Sequence, residues 1–477
     1  MSREYETVIG LEVHVELATK TKIFCGCSTA FGGAPNTHTC PVCTGMPGSL
    51  PVLNKQVVEY AMAVGLATNC TINQNCKFDR KNYFYPDNPQ NYQISQLYEP
   101  ICRNGSVEIE TADGTKKAVG IHEIHMEEDA GKLVHDDWDD VSIVDFNRSG
   151  VPLIEIVSEP DMRSAEEVIA YLEKLRLIIQ YLGASDCKLN EGSMRADVNL
   201  SVREVGAAEF GTRTEMKNLN SFRAIARAIE GEKNRQIDLI ESGEKVVQET
   251  RRWDDAKESS HAMRSKEDAQ DYRYFPEPDL VPIHISDEWL EEVRSRQPEL
   301  RTEKLARYES EYEIPRYDAE IITASKHLAD IFEQTVAICG KPKKVSNWLM
   351  VETMRLLKER EMEPEDIVFS PEHLAALVEL ADAGTVNSTV AKEVFEQMFA
   401  DDIDPKQYVE EHGLKTVNDE GALRQTIEQV IKDNPQSVDD YHNGKEKAIG
   451  FLVGQTMKAM KGKANPGMVN QILKELL

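Results

Sequence analysis

The chain has 477 residues, room for about three domains of ordinary size. Hydrophobic residues make up 40% of it, and no stretch approaches the ~20 continuous apolar residues of a membrane span, which excludes a wholly disordered chain and a helical membrane protein. The net charge of -28 argues against a generic nucleic-acid binder.

Met1 to Glu6 is polar and acidic and does not read as a signal peptide, so a cytoplasmic setting is expected. From Leu11 to Leu17 the chain alternates strictly, with Leu11, Val13, Val15 and Leu17 apolar and Glu12, His14 and Glu16 polar. That is the period of a half-buried strand whose second face carries acid, imidazole, acid. Thiols follow at once: Cys25-x-Cys27, twelve residues, then Cys40-x-x-Cys43. Two close pairs joined by a short loop can set four sulfurs tetrahedrally around Zn²⁺, and a closed four-sulfur site is structural rather than catalytic. In a reducing compartment clustered thiols favour a metal over disulfides, and nine cysteines cannot all pair within one chain. Cys70, Cys76, Cys102, Cys187 and Cys339 stand alone and read as packing residues.

`KFDRKNYFYPDNPQNYQISQ` places Arg80 and Lys81 among tyrosines and turn residues, a candidate loop for an anion or substrate. `IHEIHMEEDAGK` supplies His122, His125, Glu127, Glu128 and Asp129, and `VPLIEIVSEPD` sets Glu155 inside an otherwise apolar strand. A carboxylate there needs a partner. Strands of this kind side by side would line a cavity with carboxylates and imidazoles, and Glu12, His14 and Glu155 together suit Mg²⁺ carrying a nucleotide's phosphates. Taken singly, Glu16 or Asp129 reads as a solvated strand face.

Ser164 to Gly183 reads as a helix, with a Ser164/Glu167 capping box and Gly183 as its stop. `KLNEGSMRADVN` offers Ser193 and Arg195 at the start of a strand with Arg195, Asp197, Asn199, Ser201 and Arg203 on its polar face. Asp254 to Asp271 is charged and poor in apolar residues, and is expected to form a mobile loop. Beyond Asp287 helical periods take over, including a helix opened by Ser370-Pro371 and closed at Gly384. A shift near Asp404-Pro405 opens a tail in which Asn443 to Leu477 holds six lysines and two glutamates. There is no GxxxxGK[ST] loop and no GxGxxG after a strand, so a nucleotide would be held by metal and side chains.

In order through nearly the whole chain, `IGLEVHVEL`, `KFDRKNYFYPDNPQNYQISQ`, `HMEEDAGK`, `PLIEIVSEPD`, `RADVNLS`, `MKNLNSF`, `QETRRWD`, `DYRYFPEPDL`, `SNWLM` and `GFLVGQTMKAMKGKANP` closely resemble the B subunits of the tRNA-dependent amidotransferases, the GatB family. The resemblance implies an α+β chain: a mixed-sheet cradle domain over 1–292, a helical domain over 293–404, and a small helical tail over 405–477; the zinc-binding insert in the first of these is inferred from the thiol spacing. It implies conversion of Glu-tRNA(Gln) to Gln-tRNA(Gln), or Asp-tRNA(Asn) to Asn-tRNA(Asn). A chain of this family would activate the side-chain carboxylate with ATP and Mg²⁺. Ammonia would come from an amidase (A) subunit, and a small (C) subunit would complete the heterotrimer. By motif, the metal and catalytic residues would be Glu12, His14, the Glu127/Glu128 pair and Glu155, while Arg80, Lys81, Ser193 and Arg195 are the candidates to contact the cofactor or substrate. The tail lysines Lys458, Lys461 and Lys463 are the candidates for tRNA phosphates.

The residues agree with that chemistry. A carboxylate is a poor acceptor for ammonia until a phosphoryl group makes a leaving group of one oxygen. No Ser-x-x-Lys nucleophile stands out, which fits ammonia from a partner. Two other readings compete: an ATP-dependent ligase of a free amino acid, against which the lysine-rich tail speaks, and a zinc-bearing tRNA scaffold, against which the acidic strand faces speak.

Overall fold

The structure is a computed structural model, and it describes residues 3–136, 141–189, 191–265, 271–416, 420–445, 447–460 and 462–477. The chain divides into two compact units, Met1–Leu300 and Arg301–Leu477.

The first unit is built on a nine-stranded sheet. From edge to edge its strands are Ser259–Ser265, Glu249–Asp254, Thr214–Lys217, Met194–Glu204, Tyr5–Glu16, Pro152–Ser158, Lys116–Glu128, Cys102–Glu110 and Thr71–Ile72. All neighbours run antiparallel except Thr214–Lys217 beside Glu249–Asp254, which makes the sheet mixed. The opening strand lies near the middle, so its alternation sorts two environments. Ile9, Leu11, Val13 and Val15 are fully buried on one face, each worth roughly 1.5–3 kcal/mol of transfer free energy. The helices Lys55–Ala67, Ala165–Tyr181 and Phe222–Ser242 share one hydrophobic cluster with that face. The other face is left to polar side chains, and there the site forms.

Local signals set the element ends. The Ser164 hydroxyl caps the helix Ala165–Tyr181 by accepting from the Glu167 N–H, and Gly183 follows at φ +67. The Glu167 carboxylate accepts from the Arg163 N–H at 2.7 Å, so the capping box reaches one residue further back than the spacing predicts. The expected loop over Asp254–Asp271 is instead a hairpin as far as described: Ser259–Ser265 pairs with Glu249–Asp254. Trp253, buried at the heart of this hairpin, packs beneath Gly231, where a Cβ would come within 2.9 Å of the indole. One buried tryptophan gives the segment the core contact that its composition hides. Residues 266–270 of that stretch lie outside the described residues.

The second unit is helical among the described residues and holds two separate hydrophobic clusters, one drawn from Leu305 to Val409 and the other from Leu423 to Leu473. Its helix Pro371–Asp382 starts where Ser370-Pro371 predicts. The Ser370 side chain makes no cap, and its hydroxyl donates to Asp402 instead, at 3.1 Å. No helix among the described residues is long and apolar enough to cross a membrane.

Candidate active site and metal centres

Strand register assembles the site. His14 lies directly opposite Arg195 on one neighbour and Glu155 on the other, and Glu155 lies opposite His125 one strand further on. Four strands therefore place Arg195, His14, Glu155 and His125 in one row. Glu12, opposite Asp197, and Glu127, opposite Leu153, flank it.

Two donor groups form on this face. In the first, ligand atoms of His14, Glu127 and Glu155 all lie within 4.8 Å of one another. His14 Nε2 is 3.6 Å from Glu127 Oε1 and 3.5 Å from Glu155 Oε2. With bonds of about 2.1 Å, an octahedral ion sets neighbouring ligands about 3 Å apart and opposite ones about 4 Å apart, so this set fits a Mg²⁺-sized ion. His125 Nε2 lies 3.0 Å from Glu155 and its Nδ1 3.5 Å from Glu123, which fixes the carboxylate from behind. Burial opposes ionisation of Glu155, but His125 and His14 outweigh it and hold the carboxyl well below its ordinary range.

In the second group the carboxylates of Glu12, Asp197 and Glu215 likewise lie within 4.8 Å of one another. Asn199 Nδ2 donates to Glu12 at 3.0 Å. Burial, then the nearby charges of Glu155 and Glu215, push the Glu12 carboxyl up. Glu12 thus belongs with Asp197 and Glu215 and leans on the first group only through charge. Beside it lies a cavity of about 320 Å³ with a largely apolar lining, including Val8, Val157 and Phe210, and with Arg213 at its wall.

The remaining expected residues fall in different places. Glu127 points into the site; Glu128, one residue on, points to the opposite side. There it accepts from Gln90 Nε2 at 2.7 Å and the Ile94 N–H at 3.0 Å, and burial pushes it up to about 7. Lys81 faces the first group: burial opposes its charge, but Glu127, the tyrosines Tyr274 and Tyr272, and Glu155 outweigh this and raise its ammonium. Arg80, on the other side of that strand, is held bidentately by Glu277 at 2.6 and 3.0 Å, meets Asp279 at 3.0 Å and stacks on Tyr92. Its guanidinium is committed to the fold and is not turned to the acidic groups.

Ser193 closes a turn, donating to Asp186 and accepting from the Lys188 N–H at 2.8 Å. Arg195 pairs with Asp129 at 3.2 Å, and Arg148 holds the other oxygen of that carboxylate at 3.1 Å. Burial and the Asp129 charge push Glu16 up to about 8, so Glu16 carries the proton that the two acids share. Lys458 is exposed at the end of the helix Lys447–Ala459, and Lys463 sits in the turn before Asn465, which caps the helix Pro466–Leu476. Lys461 lies outside the described residues.

Composition and spacing left Asp197, Glu215 and His125 out of the candidate set. Asp197 and His125 stood on recognised polar faces, and only register shows that they meet Glu12 and Glu155. Glu215 sits on the four-residue strand Thr214–Lys217, too short to show a period.

The four thiols Cys25, Cys27, Cys40 and Cys43 also lie within 4.8 Å of one another. The Cys40 and Cys43 sulfurs are 3.9 Å apart, close to the edge of about 3.8 Å that a tetrahedron with 2.3 Å Zn–S bonds requires. A hydrogen bond from Cys25, then the Cys40 backbone and Lys22, pull Cys43 down to about 4, and Cys25 is raised as it keeps the shared proton. Lys22 is fully buried and donates to Cys43 at 3.4 Å and to the Phe146 carbonyl at 3.2 Å. Its charge offsets thiolate charge. The loop is tied to the sheet by the Ile23 N–H on the Gly150 carbonyl at 3.0 Å and by the Ser149 hydroxyl on the Cys43 carbonyl at 3.1 Å. Gly150 turns there at φ +82, a conformation that favours glycine.

Fold and site together define a mixed-sheet cradle that presents paired acidic donor groups, with a thiol-clustered loop and a helical second unit. The GatB/GatE catalytic domain family matches residues 7–291, and the GatB domain family matches residues 330–477. The chain is 80% identical to the aspartyl/glutamyl-tRNA(Asn/Gln) amidotransferase B subunit of Agathobacter rectalis, covering 100% of each chain. It is 74% identical to that of Lachnospira eligens over 100% of each, and 60% identical to that of Caldicellulosiruptor saccharolyticus over 99% of each. The chain belongs to the GatB family, the B subunits of tRNA-dependent amidotransferases.

Proposed function

We propose that the chain activates the side-chain carboxylate of Glu-tRNA(Gln), Asp-tRNA(Asn) or both by phosphorylation from ATP. Ammonia from an amidase (A) subunit then displaces the phosphate, in a heterotrimer completed by a small (C) subunit. The supporting observation is the pair of donor groups side by side on one sheet face, His14–Glu127–Glu155 and Glu12–Asp197–Glu215. Bound there, Mg²⁺ would neutralise charge on the transferring phosphoryl group. The residues of the chain do the positioning. Glu155, backed by His125, and Glu127 hold one end of the site, and Glu12, backed by Asn199, holds the other. The half-buried Lys81 ammonium faces the first group, where it can orient a carboxylate substrate. The apolar cavity beside Glu12 has room for a purine base.

The same reading assigns one structural zinc to Cys25, Cys27, Cys40 and Cys43, because a fully thiolate set leaves no open position for chemistry. The enzyme it describes is cytoplasmic. It divides the second unit into a helical domain and a tRNA-binding tail: the sequence draws the line at 405, but Val409 packs in the first cluster, so the tail is read as the second cluster from Leu423 onward, with the Lys458, Lys461 and Lys463 region supplying the basic surface that an acidic chain needs for RNA. The testing experiment gives the purified heterotrimer Glu-tRNA(Gln) and Asp-tRNA(Asn) side by side, with glutamine and ATP. ATP turnover that depends on the aminoacyl-tRNA is the expected result. Turnover that needs only free glutamate would move the reading to an amino-acid ligase, and amide formation without ATP would refute it.

A further inference from the structure

Burying an ammonium is costly unless a counter-charge lies beside it, and Lys22 is fully buried. Among the described residues no carboxylate forms an ion pair with it. Its Nζ donates to Cys43 Sγ at 3.4 Å and to the Phe146 carbonyl at 3.2 Å. Cys43 Sγ also accepts from the Cys40 N–H at 3.2 Å, so two donors from the chain converge on this one sulfur. Four thiolates around Zn²⁺ leave a surplus of negative charge, and the ammonium is the positive charge in contact with them.

The carbonyl that Lys22 also holds belongs to a turn that reaches the acidic face. On its far side the Gly150 N–H donates to the Asp129 carbonyl and the Asp129 N–H to the Val151 carbonyl, both at 2.9 Å. Arg148 meets Asp129 Oδ2 at 3.1 Å and donates to the Ala130 and Gly131 carbonyls, each at 3.1 Å. Asp129 in turn pairs with Arg195, which stands opposite His14 in register. Sulfur, ammonium, turn, carboxylate and guanidinium therefore make an unbroken run of contacts from the thiols to the row that carries His14.

We infer that Lys22 is the counter-charge of the zinc centre and ties that centre to the acidic face, setting through the turn from Phe146 to Gly150 the place where Asp129 holds Arg195. Lys22 acts as a positioning residue, through Cys43 on one side and Phe146 on the other. The inference rests on the reading of the four thiols as a zinc site.

The test makes two measurements on the purified heterotrimer. Competition with a chromophoric chelator gives the zinc affinity, and hydrogen exchange of zinc-saturated samples reports on the turn. Lys22→Met is similar in length and uncharged, and it should weaken zinc binding roughly 10–100-fold, as the loss of a metal ligand's outer partner does. The rise in Tm that a fixed excess of zinc confers should shrink with it. At saturating zinc the amides of Asp129 and Gly150 should exchange faster than in the wild type, while those of the distant strand Glu249–Asp254 keep their rate. Lys22→Gln replaces the methionine variant if that does not fold. Wild-type zinc affinity in Lys22→Met overturns the counter-charge. Unchanged exchange at Asp129 and Gly150 overturns the tie to the acidic face, as does exchange that quickens equally in Glu249–Asp254. A wild-type complex that binds no zinc overturns the reading of the thiols instead.

Discussion

Glu12→Gln separates chemistry from folding at one position. The amide has the shape of the carboxylate, and its oxygen still accepts from Asn199, which donates to Glu12 at 3.0 Å. What is lost is one negative charge from a group whose donors lie within 4.8 Å of one another. A unit charge at 4 Å from a cation is worth about 4 kcal/mol per unit of cation charge at an effective dielectric of about 20. Part of this is returned by solvation, which leaves the range of about 2.7–4 kcal/mol that one preorganised charge-stabilising contact carries, or a rate loss of roughly 10²–10³. Stability should move the other way. Burial and the charges of Glu155 and Glu215 all disfavour an ionised Glu12, so removing its charge relieves the fold near neutral pH. The assay is ATP-dependent transamidation by the complex, beside a thermal melt of the same sample. A large loss of rate with an equal or higher Tm is expected, and glutamine hydrolysis should change less. Wild-type transamidation would refute the assignment, and a lost rate with a lowered Tm would make the effect structural.

Adjacent Glu127 and Glu128 should part company: Glu127→Gln should cost transamidation roughly 10²-fold or more by the same reasoning, whereas Glu128→Gln, which can still accept from Gln90 or Ile94, should keep most of it, as steady-state kinetics would show. Cys40→Ser should drop zinc from about one ion per chain towards none by elemental analysis and lower Tm, and zinc-free protein with the wild-type Tm would contradict the structural role. Deleting the chain from Glu420 onward, which leaves the first cluster and its Val409 intact, should raise KM for aminoacyl-tRNA and flatten its salt dependence, because counterion release scales with the phosphates contacted. An unchanged salt slope would show that the tail does not hold RNA.

Much of the site was legible because a central strand announces itself. Alternation from Leu11 to Leu17 put Glu12, His14 and Glu16 on one face, and Tyr5–Glu16 does carry them on the polar side of the sheet. The same logic separates Glu127 from Glu128, since neighbours on a strand point to opposite faces, but it could not say which one meets Glu155. That choice is fixed by the register of Leu153 against Glu127. Partnerships across strands distant in sequence left no local trace. Glu12 meets Glu215 only because Met194–Glu204 lies between their strands. Arg80 misled for a related reason: a lone arginine among tyrosines looks like an anion ligand until the tertiary fold supplies Glu277 and Asp279. The hairpin Glu249–Ser265 was hidden by its charge, because its one large core residue, Trp253, carries the packing.

In the proposed reaction the acidic face activates a carboxylate by phosphoryl transfer, and the carboxylate's own oxygen reports it. Aminoacyl-tRNA whose side-chain carboxylate carries oxygen-18 can be given to the complex with ATP and glutamine. Attack by a carboxylate oxygen on the γ-phosphorus releases ADP, and ammonia then displaces phosphate from the acyl carbon, so that oxygen leaves with the phosphate. One labelled oxygen per inorganic phosphate formed is the predicted result. Phosphate free of label, with amide still produced, would contradict the account.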